Sequence, residues 1–282
     1  MADNQPLPPP GAVEPESKPS TGLTPLQQGP GQGNQQKGGG RAKSTCWMDK
    51  PQGIPGCPPG LEYLTQVDQI LIHQVVELLE AFTGWETKNR YVLKNTLGQQ
   101  VYYAMEDSDL CMRQCCGPTR GFIIHITDNL GQEVIKVQRD FKCCAGFSWL
   151  AGCACCAYEV SVESPPGQLI GYVRQECSPW APKFSIRDAD GQKVLSVDGP
   201  CCVCQGAWCC EQEFQVKTSD GEVIGKIAKQ FSGLIKEYFT DADNFGVQFP
   251  LDLDVKMKAI MIGAVFLIDF MFFENESNNR NS

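Results

Sequence analysis

Cysteine and aspartate are the side chains whose number and spacing in this sequence could support chemistry. Sixteen cysteines stand against two histidines in 282 residues. They cluster as Cys143-Cys144, Cys153-Ala-Cys155-Cys156, Cys201-Cys202-Val-Cys204 and Cys209-Cys210. Adjacent cysteines do not readily meet disulfide geometry. No apolar leader follows Met1-Ala2-Asp3, so reduced thiols, metal ligands or acylation sites are expected in place of a disulfide framework. The doublets could give four thiolates to zinc, but the usual two-residue spacer between paired ligands is missing. Thioacylation suits Cys143, Cys144, Cys153, Cys155 and Cys156 better. Phe147, Trp149 and Leu150 interleave with these thiols, and Lys136, Arg139 and Lys142 precede them. Two weak membrane signals would then add, where one acyl chain alone holds only marginally. The plain alternative is that these are small residues packing strand ends.

The second constellation runs from Asp241 to Asp252. Asp241, Asp243 and Asp252 occupy positions 1, 3 and 12 of a loop with Gly246 at position 6, and Asn244 offers a further oxygen. Hard oxygen ligands around a glycine turn suit Ca²⁺. The match to an EF-hand loop is partial, because Phe245 takes position 5 and an aspartate stands in for the bidentate glutamate. Such a loop predicts weak binding, on the order of 10⁻⁴ to 10⁻³ M. An Asn/Asp-rich turn explains the same residues without a metal.

Signatures of covalent catalysis are missing from the sequence: it has no phosphate-binding Walker loop, no G-x-S-x-G elbow and no HExxH. His73 and His125 fit the polar faces of strands. Lys226, Lys229 and Lys236 form a spaced basic cluster that suits nuclear import, phosphate contact or a solvated strand face. The net charge of −9 argues against binding nucleic acid or an anionic membrane by bulk charge.

These residues need elements to hold them. The first 60 residues carry 12 of the 19 prolines and 11 of the 28 glycines, which predicts a disordered arm over 1–58. Pro6-Leu7-Pro8-Pro9 in that arm matches a ligand for SH3-type grooves. In the body, residues 126–135 and 186–195 repeat one pattern: alternating apolar residues enter an Asp-rich turn with Gly131 or Gly191 and leave through Val134 or Val194. A looser copy surrounds Gly98. Each copy predicts a hairpin. Together they predict meanders closing into a barrel or packing as a sandwich, since closure removes exposed edges. A large barrel needs a filled interior. The run 259–273, from Ala259 through Phe266 and Asp269 to Phe273, is apolar on every side and predicts a helix enclosed by protein or lipid. Its 15 residues reach about 22 Å, short of a hydrocarbon core of about 30 Å, and Asp269 would lie inside that core. Lys256 and Lys258 before it and an acidic tail after it fit a single span with cytosolic N-terminus. Burial inside the barrel is preferred. For the stretch 60–82 the periodicity is divided, with Leu61, Leu64 and Val67 at helical spacing and Ile70, Ile72 and Val75 at strand spacing.

Several strings carry a family resemblance: Cys57-Pro58-Pro59-Gly60-Leu61-Glu62-Tyr63-Leu64, Asp68-Gln69-Ile70-Leu71-Ile72-His73-Gln74, Cys115-Cys116-Gly117-Pro118, Phe239 to Gly246, and Phe249 to Ala259. Over 57–274 the chain resembles the phospholipid scramblase family. The resemblance implies an all-β, tubby-like closed barrel of about twelve strands around the C-terminal helix, within a domain spanning 59–275. It also implies calcium-activated, ATP-independent movement of phospholipids between the leaflets of the plasma membrane, with Ca²⁺ at Asp241, Asp243, Asn244 and Asp252 and palmitoyl groups on the five cysteines. The protein would then sit on the cytoplasmic face, and in the nucleus when not acylated. Its partners would be a phospholipid membrane and SH3-type domains, with self-association left open and nucleic acid not expected. A second class of function, an acyl-anchored signalling adaptor that binds lipid or protein without transporting lipid, remains beside it.

Overall fold

A computed structural model describes residues 46–75, 88–145, 148–201, 212–229 and 244–273. Twelve strands form one closed antiparallel barrel: β1 (Gln69–Val75), β2 (Arg90–Lys94), β3 (Gln100–Asp107), β4 (Phe122–Thr127), β5 (Glu133–Arg139), β6 (Glu159–Glu163), β7 (Leu169–Glu176), β8 (Lys183–Asp188), β9 (Lys193–Asp198), β10 (Glu213–Lys217), β11 (Val223–Lys229) and β12 (Asn244–Gln248). Every strand pairs with its neighbours in sequence, and β12 closes the ring by pairing with β1 from Gln69↔Gln248 to His73↔Asn244.

The repeated turns build the expected hairpins. Asp128 Oδ1 accepts from the backbone N–H groups of Leu130 and Gln132, and Asp188 Oδ1 accepts from those of Asp190 and Gln192. Asn95 does the same for Leu97 and Gln99 in the looser copy. The following glycines take positive φ, 73° at Gly131 and 80° at Gly191, where a side chain would be strained. Strand alternation then fixes the faces: Phe122, Ile124 and Ile126 of β4 point into the core, while Ile123 and His125 do not. His125 pairs through Nδ1 with Glu133 on β5 at 2.7 Å, a polar-face role. The divided stretch after Gly60 contains both elements, a 3₁₀ turn over Glu62–Gln66 followed by β1.

Helix α2 (Val255–Phe272) fills the barrel. It starts a turn earlier than expected because Asp254 caps it, accepting from the N–H groups of Lys256 and Met257. Its residues from Lys258 to Phe270 are all buried, Asp269 among them. Gly263 permits the close approach, since a Cβ there would lie 2.7 Å from Val162 Cγ2 on β6. Lys258 does not flank the apolar run as a membrane-facing charge. It is fully buried and its ammonium donates to the carbonyls of Leu64, Val67 and Leu251 at 2.8–2.9 Å. Burial lowers its pKa, opposed by the carboxylates of Asp68 and Asp252. Among the described residues no helix is long and apolar enough to cross a membrane.

The body begins earlier than Pro58. Trp47 bridges to Gln100, the Met48 N–H donates to the Gln100 carbonyl at 2.8 Å, and Met48 is buried. The Pro6–Pro9 motif and the sequon at Asn275 lie outside the described residues.

Candidate functional site

Antiparallel closure gives the barrel two unlike ends. At one, tight turns join β2 to β3, β4 to β5, β6 to β7, β8 to β9 and β10 to β11. At the other, longer connections run over 76–89, 108–121, 140–158, 177–182, 199–212 and 230–243. Ten of the twelve cysteines among the described residues belong to this second set: three in 108–121, five in 140–158, Cys177 and Cys201. We call this the thiol end; α2 enters from the turn end and finishes here.

The connection 140–158 is held by Lys142, whose ammonium donates to the carbonyls of Ala154 (3.0 Å) and Ala157 (2.8 Å), bringing the two cysteine pairs of the loop together. Cys143, Cys144, Cys153 and Cys155 are exposed, and Cys156 is buried. The Cys143 and Cys144 sulfurs lie 3.5 Å apart, those of Cys155 and Cys156 3.6 Å apart, and Cys144 also hydrogen-bonds Cys156. Among the described residues no group of three or more His, Cys, Asp or Glu is arranged to hold a metal ion. The Cys156 thiol is pushed up to about 11, first by its hydrogen bond with Cys155, then by burial and by neighbouring thiols. Since the thiolate is the nucleophile, Cys156 should alkylate about tenfold or more slowly at pH 8 than an ordinary thiol of pKa ~8.5. Its rate should keep rising up to about pH 11. Peptide mapping after timed iodoacetamide treatment checks this, and a Cys156 rate already level by pH 9 contradicts it.

Exposed aromatics crowd the same end. Trp149 is 65% exposed, Trp180 81% and Phe141 45%. The Cys177 thiol donates to the Trp149 carbonyl at 3.3 Å, so the connections 140–158 and 177–182 touch. Sequence reading missed Trp180 and Cys177, because only the β7–β8 pairing carries them beside the loop.

Beneath the loops lies a buried polar plug. Glu106, with no exposed surface, receives Arg120 through two bonds, Nε to Oε1 at 2.8 Å and Nη2 to Oε2 at 3.0 Å, and also accepts from the Ser108 hydroxyl. Arg139 donates to the Arg120 carbonyl and lies over the rings of Phe122 and Tyr158 at 4.6 and 4.8 Å. Arg120 covers Phe270 at 4.7 Å, tying the plug to the last turn of α2.

The acidic constellation does not form one loop. Asp241 and Asp243 lie in the connection 230–243, outside the described residues, as do Lys236, Cys202, Cys204, Cys209 and Cys210. Asn244 opens β12 opposite His73, and Gly246 is extended backbone paired with both Leu71 and Ala228. Asp252 follows the far end of β12, exposed, close enough to act on Lys258 at the start of α2. At ~3.3 Å per residue, the strand alone separates Asn244 from Gln248 by about 13 Å. Ligands of one calcium ion lie only about 2.3–2.6 Å from it. The expected single site joining Asn244 to Asp252 is therefore corrected: the two stand at opposite ends of the barrel.

Comparison with known proteins agrees with the architecture. The Scramblase family model matches residues 48–275. The chain is 53% identical over 241 residues to human (Homo sapiens) phospholipid scramblase 1, covering 85% of this chain and 73% of the relative. It is 53% identical over 231 residues to phospholipid scramblase 2 of Bos taurus (81% and 76% covered) and 41% identical over 241 residues to human phospholipid scramblase 4 (83% and 70% covered). With a family model across the whole barrel and relatives of this likeness, the chain belongs to the phospholipid scramblase family.

Proposed function

We propose that this chain is a calcium-activated, ATP-independent phospholipid scramblase, held by thioesters at the cytoplasmic face of the plasma membrane with its thiol end toward the lipid. The observation that carries this reading is the gathering of exposed thiols, Trp149, Trp180 and Phe141 at one end of a barrel otherwise closed by tight turns. Aromatic rings favour the headgroup region, and acyl chains need a second signal to anchor stably. Cys143, Cys144, Cys153 and Cys155 are the accessible acceptors, with Cys156 the least reactive. Calcium is taken by Asp241 and Asp243 in the connection that ends at the thiol end, without Asp252. The protein acts on lipid packing and forms no covalent intermediate with substrate.

One observation favours the adaptor reading as well. Helix α2 fills the barrel, with Lys258 and Asp269 buried in it, so among the described residues no headgroup path runs through the interior. Scrambling must then occur where the thiol end disturbs the leaflet. Full-length acylated protein in liposomes, with dithionite bleaching of fluorescent lipid, separates the two. The expected result is calcium-dependent flip without ATP, lost with Asp241→Ala and Asp243→Ala together and retained with Asp252→Ala. No flip by protein that still binds the vesicles leaves the adaptor; loss in Asp252→Ala overturns the calcium assignment.

A further inference from the structure

A cleft of about 700 Å³ opens between α1 (Leu110–Cys116) and the adjoining ends of β3, β4 and β5, lined among others by Lys88, Leu110, Arg113, Phe122, Arg139 and Phe141. Arg113 stands in its wall. Its residue is 6% exposed, yet its Nε and Nη1 are buried with no hydrogen-bond partner. The three carboxylates that line the same cleft are engaged elsewhere. Asp107 holds Lys88, Asp109 caps α1 through the N–H groups of Cys111 and Met112, and Asp140 accepts from Gln138. Only through-space attraction links Arg113 to Asp107. A guanidinium taken out of water with unmet donors is costly, and folded proteins seldom keep one without a use.

We propose that Arg113 anchors a binding site for a phosphate ester in this cleft, with the Arg139 guanidinium in the same wall. A tetrahedral oxyanion supplies the acceptors that the guanidinium lacks, and arginine matches two of its oxygens at once. The volume and the walls say what else the ligand carries. Inorganic phosphate alone leaves most of the cleft empty, whereas Leu110 (50% exposed) and Phe141 (45% exposed) offer apolar surface to an organic group on the ester. Helix α1 is too short for its N-terminus to matter. A phospholipid headgroup and a soluble phosphate ester share this chemistry. The site does not depend on the membrane orientation proposed above, because a soluble ester tests it directly.

Equilibrium dialysis of the full-length protein against radiolabelled glycerol 3-phosphate should show one site per chain. Arg113→Met should weaken it about tenfold or more, and Arg113→Lys, which keeps the charge without the fork, should fall between. Flotation with phosphatidylcholine vesicles, with and without phosphatidate, separates the sources: phosphatidate-dependent flotation lost in Arg113→Met identifies a lipid headgroup, and ester binding without it identifies a soluble ligand. Thermal unfolding separates binding from structure. Without ligand, Arg113→Met should unfold at or above the wild-type temperature, since it removes an unsatisfied buried charge, and glycerol 3-phosphate should raise Tm only in wild type. Equal binding by wild type and Arg113→Met, binding by neither to ester or lipid, or a clear loss of stability in Arg113→Met without ligand overturns the proposal.

Discussion

Glu106→Ala should destabilise the barrel by about 3–5 kcal/mol, because it leaves the Arg120 cation buried without its carboxylate. In the folded protein Arg120 is 4% exposed at its side chain and Glu106 has no exposed surface, so water cannot replace the lost partner. The Ser108 hydroxyl loses its acceptor at the same time. For a domain of this size the loss lowers Tm by roughly 10 °C. A comparison within the same protein sharpens the expectation. Asp107 pairs with Lys88 at the surface, with side chains 54% and 48% exposed, and Asp107→Asn should cost about 1 kcal/mol or less. Thermal unfolding of both variants checks it, and equal losses would mean that the buried pair is no tighter than the surface one.

Replacing Cys143, Cys144, Cys153, Cys155 and Cys156 together by alanine should move the protein from the membrane fraction to the soluble fraction or the nucleus. Residues 59–282 carry a net charge of −10, so anionic lipid does not hold the body electrostatically. The helix that could have served as a second anchor is buried in the barrel. In the proposed orientation Trp149 and Trp180 would add interfacial affinity but no lasting attachment. Hydroxylamine, which cleaves thioesters, should release wild-type protein in the same way. Retention after either treatment would point to α2 leaving the barrel for the bilayer.

The hairpins were legible because their chemistry is local. Asp128 with Gly131 and Asp188 with Gly191 specify the turn and set the alternation of the strands on either side. The central helix was legible from its lack of a polar face. Closure was expected from the repeats and the family resemblance, but not the strand that completes it: β12 lies in a stretch whose aspartates and glycine suggest a loop, its pairing with β1 joins residues some 175 positions apart, and no short-range pattern encodes that. Lys258 misled for a related reason. A lysine before an apolar run reads as a flanking charge, and only the folded chain brings the carbonyls of Leu64, Val67 and Leu251 to it.

The candidate site was half legible. Cysteine spacing picked out the loop, but the two-ended character of the barrel follows from strand parity, counted only once all twelve strands are known. That parity gathers Cys177 and Trp180 beside Trp149 and sets Asp252 apart from Asn244. Arg113 left no trace in the sequence, since an arginine in a short helix usually faces solvent, whereas this one is 6% exposed.

The orientation of the barrel is tested most directly by tryptophan quenching. Full-length acylated variants retaining only Trp47, Trp149 or Trp180, bound to vesicles whose acyl chains carry bromine, report which end meets the hydrocarbon. Trp149 and Trp180 belong to the thiol end, and Trp47 bridges to Gln100 beside the turn between β2 and β3. Strong quenching of Trp149 and Trp180 with none of Trp47 is the predicted result; quenching of Trp47 with Trp149 and Trp180 unaffected would contradict it.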